Sequence, residues 1–137
     1  MNAPTGNTVA AAEHTMALML ALARNVAQGD ASLRSGKWER SRLVGSELRG
    51  KTLAIAGLGK IGTEVTRMAQ GLQMRVVAFD PLVSLDEALA QADVLTVHTP
   101  LSDATRGLIG AEQLARLPKG ARVLNVGRGG DVYKRQT

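Results

Sequence analysis

The sequence predicts an α/β fold: a doubly wound parallel sheet with helices on both faces, truncated and preceded by one long helix. Three observations predict it. Four short apolar segments, at 52–56, 75–79, 93–98 and 121–126, alternate with stretches of helical pattern, the order that builds a parallel sheet buried on both faces. The first of them runs directly into Gly57-Leu58-Gly59-Lys60-Ile61-Gly62, a glycine-rich turn that opens a helix. The core material is aliphatic, because 45% of residues are hydrophobic and only 2% aromatic.

The elements follow in order. After the turn-rich Asn2-Ala3-Pro4-Thr5-Gly6, Asn7 or Thr8 can cap a helix that runs to about Gln28, with Glu13 near its positive end. Its apolar residues, among them Met16, Leu18, Met19, Leu20 and Leu22, occupy several faces, so it is expected to pack between two partners at a domain or subunit interface. Its methionines are core filler. Gly29-Asp30 opens a second short helix to Ser35-Gly36. The glycine-turn helix extends through Gln70 and stops at Gly71. Ser84 can cap a helix over Leu85 to Ala92, and Ala111 to Leu117 is helical up to Pro118.

Composition limits the function. At 137 residues one domain is expected, and with no cysteine there are no disulfides, thiolate zinc sites or cysteine nucleophiles; no metal site is predicted. Four of the five net positive charges are local, because six basic residues (Arg34, Lys37, Arg40, Arg42, Arg49, Lys51) face two acids (Glu39, Glu47) within one connector. Trp38 alone interleaves them, so this is a solvated or interface-lining connector and nucleic acid is a minor alternative. The apolar run from Met16 to Ala23 is far short of the ~20 residues of a membrane span, and no basic region precedes it as in a signal peptide. A cytoplasmic protein without membrane contact is expected.

The glycine turn carries the chemistry. Gly57 permits the tight turn, Gly59 lets the backbone approach a pyrophosphate, and Gly62 lets helix and strand touch. The helix N-terminus then receives the phosphates. Asp80 ends the second strand 18 residues after Gly62, near the usual offset of about 20. There it can accept hydrogen bonds from ribose hydroxyls and repel a 2′-phosphate, so NAD is predicted over NADP. Together these make the sheet Rossmann-type. Lys60 is either a phosphate contact or a solvated lysine. Thr99-Pro100 and Val126-Gly127-Arg128 leave the ends of the third and fourth strands, where ligands of such sheets bind. Arg128, between glycines, can grip a substrate carboxylate in a bidentate way. His98 ends a buried strand without an evident carboxylate partner, and reads as structural rather than as a general acid.

These residues, with Ala12-Glu13-His14-Thr15, Gly36-Lys37-Trp38-Glu39-Arg40, Val97-His98-Thr99-Pro100-Leu101, Thr105-Arg106-Gly107-Leu108-Ile109 and Asn125-Val126-Gly127-Arg128-Gly129-Gly130, make the chain resemble a known family over residues 2 to 130. It is similar to the D-isomer-specific 2-hydroxyacid dehydrogenases, and within them to the branch acting on 3-phosphoglycerate in serine biosynthesis. The resemblance implies NAD contacts from Lys60, Ile61, Asp80, Thr99 and the loop 126–128, and Arg128 as the catalytic arginine that orients a 2-keto or 2-hydroxy acid substrate. It implies that the first helix and the Trp38 connector form a homodimer or higher homo-oligomer interface.

The chain departs from the family pattern in three places. Between Asp80 and Asp93 a further helix and strand are expected, and only residues 81–92 remain. The family's Glu and His acid/base pair is expected beyond the arginine motif, outside the chain, so the fragment alone is expected to be inactive. Asp131-Val132-Tyr133-Lys134-Arg135-Gln136 is what a transposon-end sequencing adapter encodes, and 131–137 is therefore expected to be non-native read-through. The expected organisation is a linking helix and basic connector at 1–51, a partial NAD-binding domain at 52–130, and that tail. A non-catalytic NAD-sensing or oligomerisation module of the same fold is the alternative reading.

Overall fold

In a computed structural model, residues 7–79, 84–100 and 102–127 are described. Four parallel strands form one sheet: β1 (Thr52–Ala56), β2 (Arg75–Phe79), β3 (Val94–Val97) and β4 (Arg122–Asn125), in the order β2-β1-β3-β4. Ala56 stands in register with Phe79 on one side and Val97 on the other, and Val97 with Asn125. All four carboxyl ends therefore share one edge of the sheet. The strand order reverses between β1 and β3, which is the point where sheets of this kind open a ligand crevice.

Among the described residues there are five helices: α1 (Thr8–Ala23), α2 (Val26–Arg34), α3 (Lys60–Gly71), α4 (Leu85–Ala90) and α5 (Ala111–Ala115). The alternation of side chains along each strand divides the core in two. Leu53 and Ile55 point to one face, with Val65 and Ala69 of α3 and Ala12, Met16, Met19 and Ala23 of α1. Ala54 and Ala56 point to the other, with Leu95, Val97, Leu89 and Ile109. Both β1 and β3 are buried along their whole length, as a sheet covered on two sides requires. Burying each Leu or Ile of that layer contributes about 1.5–3 kcal/mol. At the amino end of the sheet the Asp93 carboxylate accepts the backbone N–H of Thr52 at 2.8 Å and meets Lys51 Nζ at 3.3 Å, locking β3 beside β1.

The boundary between the two expected helices falls earlier than the sequence suggests. Chain direction breaks at Asn25, which adopts a left-handed conformation at φ 53°, a region that asparagine tolerates better than most residues. The helix therefore ends at Ala23 rather than near Gln28, and α2 starts at Val26 rather than Gly29. Asn7 makes no side-chain cap, and neither does Ser84. The helices α4 and α5 are shorter than their sequence pattern, ending at Ala90 and Ala115. One stripe of α1 is core, and Leu18 and Leu22 on one flank of it and Leu20 on the other are each 37–43% accessible. Met16 and Met19 are buried, as core filler should be.

Candidate functional site

The turn from β1 into α3 is shaped by contacts that only glycine permits. Gly57 sits at φ +100°, and a Cβ there would lie 2.9 Å from the backbone of His98 and Thr99. A Cβ on Gly62 would lie 2.1 Å from the Gly57 carbonyl oxygen, so the first turn of α3 crosses β1 at backbone contact distance. Gly59 differs. A Cβ there would meet nothing within 4 Å, so the backbone at the head of α3 faces open space.

No side chain caps α3, and its first turn contains no acid. Its amino end therefore keeps unpaired N–H groups and the positive end of a helix dipole, an arrangement suited to phosphate. Lys60 is exposed at that end, while Ile61 is partly buried against the core beside α1. A cleft of about 500 Å³ opens here, lined by Leu58, Gly59, Lys60, Thr63 and Glu64 of the turn and by Thr8 and Val9 of α1. The sequence signalled the turn but not its neighbours from α1, because the packing of α1 on α3 joins segments some fifty residues apart.

Across the switch point, β3 delivers His98 and Thr99. The His98 N–H extends the ladder by donating to Ala56 O at 2.8 Å, which fixes the chain against Gly57. Burial pushes the His98 imidazole down to about 4 from 6.5. Its Nε2 lies 3.0 Å from Thr96 Oγ1, which gives the ring a partner two residues back along the chain. Thr99 Oγ1 is buried and has no hydrogen-bond partner among the described residues. An unpaired buried hydroxyl costs about 1–3 kcal/mol, and at the carboxyl edge of the sheet it offers a ligand a donor or acceptor. Pro100 follows, exposed, and its carbonyl accepts from Thr105 Oγ1 at 2.5 Å, which turns the next loop back on itself.

At the end of β4 Val126 is half-buried and Gly127 exposed, with the Gly127 N–H held by Asn125 Oδ1 at 2.9 Å. That local turn aims the chain away from the strand at the same edge. The structure thus brings together Gly57, Gly59, Lys60, Ile61, Gly62, Thr99, Pro100, Val126 and Gly127 along the carboxyl edge of the sheet. Asp80 and Arg128 lie outside the described residues, as do Pro81 and the 131–137 tail. The open amino end of α3 and the orphaned Thr99 hydroxyl fit a dinucleotide lying across the switch point.

A larger cleft, of about 720 Å³, lies between Arg24 at the end of α1 and the connector, lined by Trp38, Arg40, Val44 and Glu47 among others. It belongs to the opposite end of the sheet, where Arg122 at the start of β4 donates to Ser46 Oγ at 2.7 Å. Trp38 is 78% exposed there. Among the described residues no group of three or more His, Asp or Glu could hold a metal ion, and no helix is long and apolar enough to cross a membrane.

Comparison with known proteins agrees with this architecture. The family model described as "D-isomer specific 2-hydroxyacid dehydrogenase, NAD binding domain" matches residues 16–136. D-3-phosphoglycerate dehydrogenase 2, chloroplastic, of Arabidopsis thaliana is 51% identical over 145 residues, which cover 96% of this chain and 23% of that protein. D-3-phosphoglycerate dehydrogenase of Archaeoglobus fulgidus is 46% identical, with 96% of this chain and 28% of that protein covered. Among solved structures, NAD-dependent formate dehydrogenase from Staphylococcus aureus in complex with NAD superposes with a TM-score of 0.88 at 32% identity, over 93% of this chain and 42% of that one. The chain spans about a quarter of the length of the curated relatives it matches. The 145 aligned residues also exceed the 137 of the chain, so these relatives carry at least eight positions that it lacks.

Proposed function

The chain belongs to the D-isomer-specific 2-hydroxyacid dehydrogenases, as an NAD-binding domain of that family, and from this premise we propose that its parent protein moves hydride between NAD(H) and 3-phosphoglycerate. The joint placement of the uncapped α3 amino end and the unpartnered Thr99 hydroxyl on one sheet edge carries the cofactor part of this reading. The names of the relatives at 51% and 46% identity support the choice of acid.

NAD, when bound, supplies the hydride acceptor. The chain supplies position and charge. The backbone N–H groups at the head of α3 hold the pyrophosphate, with Lys60 adding a cation at the same point. Gly57 and Gly62 keep that turn close to the sheet, and Ile61 fixes the first turn of α3 against the core. Asp80 accepts the adenosine ribose hydroxyls and repels a 2′-phosphate, so NADH binds more tightly than NADPH. Thr99, Pro100, Val126 and Gly127 form the wall toward the nicotinamide. Arg128 grips the substrate carboxylate and orients the carbon that gives up hydride.

The exposed leucines of α1 and the exposed Trp38 support self-association of the parent protein. The cytoplasm is the compartment proposed.

The test is a full-length gene carrying Arg128→Gln. Loss of the charged fork should lower kcat/KM for the acid by roughly ten- to a hundredfold, about 1.5–3 kcal/mol, and leave the Kd for NADH nearly unchanged. Unchanged turnover would remove Arg128 from the site.

A further inference from the structure

The sheet ends at β2 with nothing paired to its outer side among the described residues. Arg75 donates its N–H to Lys51 O at 2.9 Å, and β2 stays in register with β1 from Arg75 to Phe79. Backbone groups alternate sides along a strand, so Arg75, Val77 and Phe79 spend theirs on β1 while the N–H and C=O of Val76 and Ala78 point outward. Those four groups form a short, regular, open ladder.

The strand carries none of the devices that normally blunt an edge. Arg-Val-Val-Ala-Phe has no proline, no glycine and no charge at its centre. Both faces of the strand are partly covered, Val76 packing toward α3 and Phe79 toward the α4 side, while the edge itself is open. A single helix, α4, bridges β2 to β3, and the relatives carry at least eight positions that this chain lacks.

We propose that the β2 edge is an interaction surface whose occupant is the β2 strand of a second copy of this chain, paired antiparallel about a two-fold axis at Val77. The pattern is self-complementary. With Val77 opposite its own copy, Val76 of each chain stands opposite Ala78 of the other, and these are the two residues whose backbone groups face outward. Each such pair exchanges two hydrogen bonds, so all eight outward groups of the two strands are satisfied. The register also suits the charges, placing Arg75 opposite Phe79 of the other copy and holding the two Arg75 roughly 13 Å apart, whereas parallel pairing would set them side by side. A two-fold perpendicular to the sheet continues each helical layer with its own kind, giving an eight-stranded sheet. This surface is separate from α1 and Trp38, and does not depend on the cofactor reading.

The test is amide hydrogen exchange on the whole 137-residue chain at low and high concentration, with molar mass measured in parallel. Mass should double with concentration while exchange at Val76 and Ala78 slows about tenfold or more, with Arg75, Val77 and Phe79 protected throughout. Ala78→Pro removes one outward donor and no ladder bond to β1, and should abolish the concentration-dependent protection at Val76 without melting the sheet. Where that variant fails to fold, the wild-type exchange pattern decides alone. Self-association with Val76 and Ala78 still exchanging freely, a single chain at every concentration, or protection independent of concentration would each overturn the proposal.

Discussion

The Cα of Gly62 lies so close to Gly57 that a methyl group on it would fall 2.1 Å from the Gly57 carbonyl oxygen. Backbone, not a yielding side chain, fills that space. The contact sets the angle at which α3 leaves β1, and with it the direction of the unpaired N–H groups at the head of the helix.

Gly62→Ala should therefore destabilise the chain by at least about 1–3 kcal/mol, the usual cost of forcing atoms into a packed site. Gly59→Ser, three residues earlier, meets open space and adds a favoured N-cap, so its stability should stay within about 0.5 kcal/mol of the wild type. Urea unfolding of the two variants checks this. Equal losses would mean that the turn is not held where the Gly57 contact places it.

Thr99→Val keeps the shape of a half-buried side chain and removes its buried, unpaired hydroxyl. The free chain should gain about 1 kcal/mol of stability, because a desolvated group without a partner is lost. Binding should move the other way, with the Kd for NADH rising roughly three- to tenfold if the hydroxyl serves the ligand. Calorimetric unfolding with and without NADH separates the two effects; a variant that is destabilised when free would show that the hydroxyl has a partner.

His98 links stability to pH. Its folded pKa is about 4 against 6.5 for an unperturbed imidazole, the cause being burial. Above pH 6.5 the ring is neutral in both states and the folded chain loses nothing. Between about 6.5 and 4 the unfolded chain takes up a proton that the folded one refuses, so stability falls with pH across that window and levels off below it. Allowing for the ring's remaining exposure, the loss is on the order of 1–2 kcal/mol. Denaturation midpoints from pH 8 to 4 should show the slope in the wild type and a flatter one in His98→Gln.

The sheet was legible because local signals and global burial agree. Both β1 and β2 fall where the short apolar runs put them, but only β1 is buried throughout; β2, expected to be buried as well, is the edge strand and none of its residues is fully buried. The helix break at Asn25 was not legible, since nothing in Arg24-Asn25-Val26 forbids a continuous helix. It comes instead from the connector, whose Ser46 N–H takes the Ala23 carbonyl at 2.8 Å while Val44 O accepts from Asn25 Nδ2 at 3.3 Å. The same holds at the site. Gly57 and Gly62 announce themselves by spacing, whereas the Thr8 and Val9 wall and the orphaned state of Thr99 follow from packing between distant segments. The open β2 edge had its trace in the short stretch between Asp80 and Asp93.

The most direct measurement is a fluorescence titration of the chain with NADH beside its Gly59→Asp variant. Aspartate is a good N-cap and has room at this position, so the variant should fold as the wild type does. Its charge stands where the pyrophosphate should lie. Saturable binding by the wild type, weakened tenfold or more in the variant at equal stability, is the predicted result, on the order of 1.4 kcal/mol or above. Equal affinity in the two chains would contradict the placement of the dinucleotide at the head of α3.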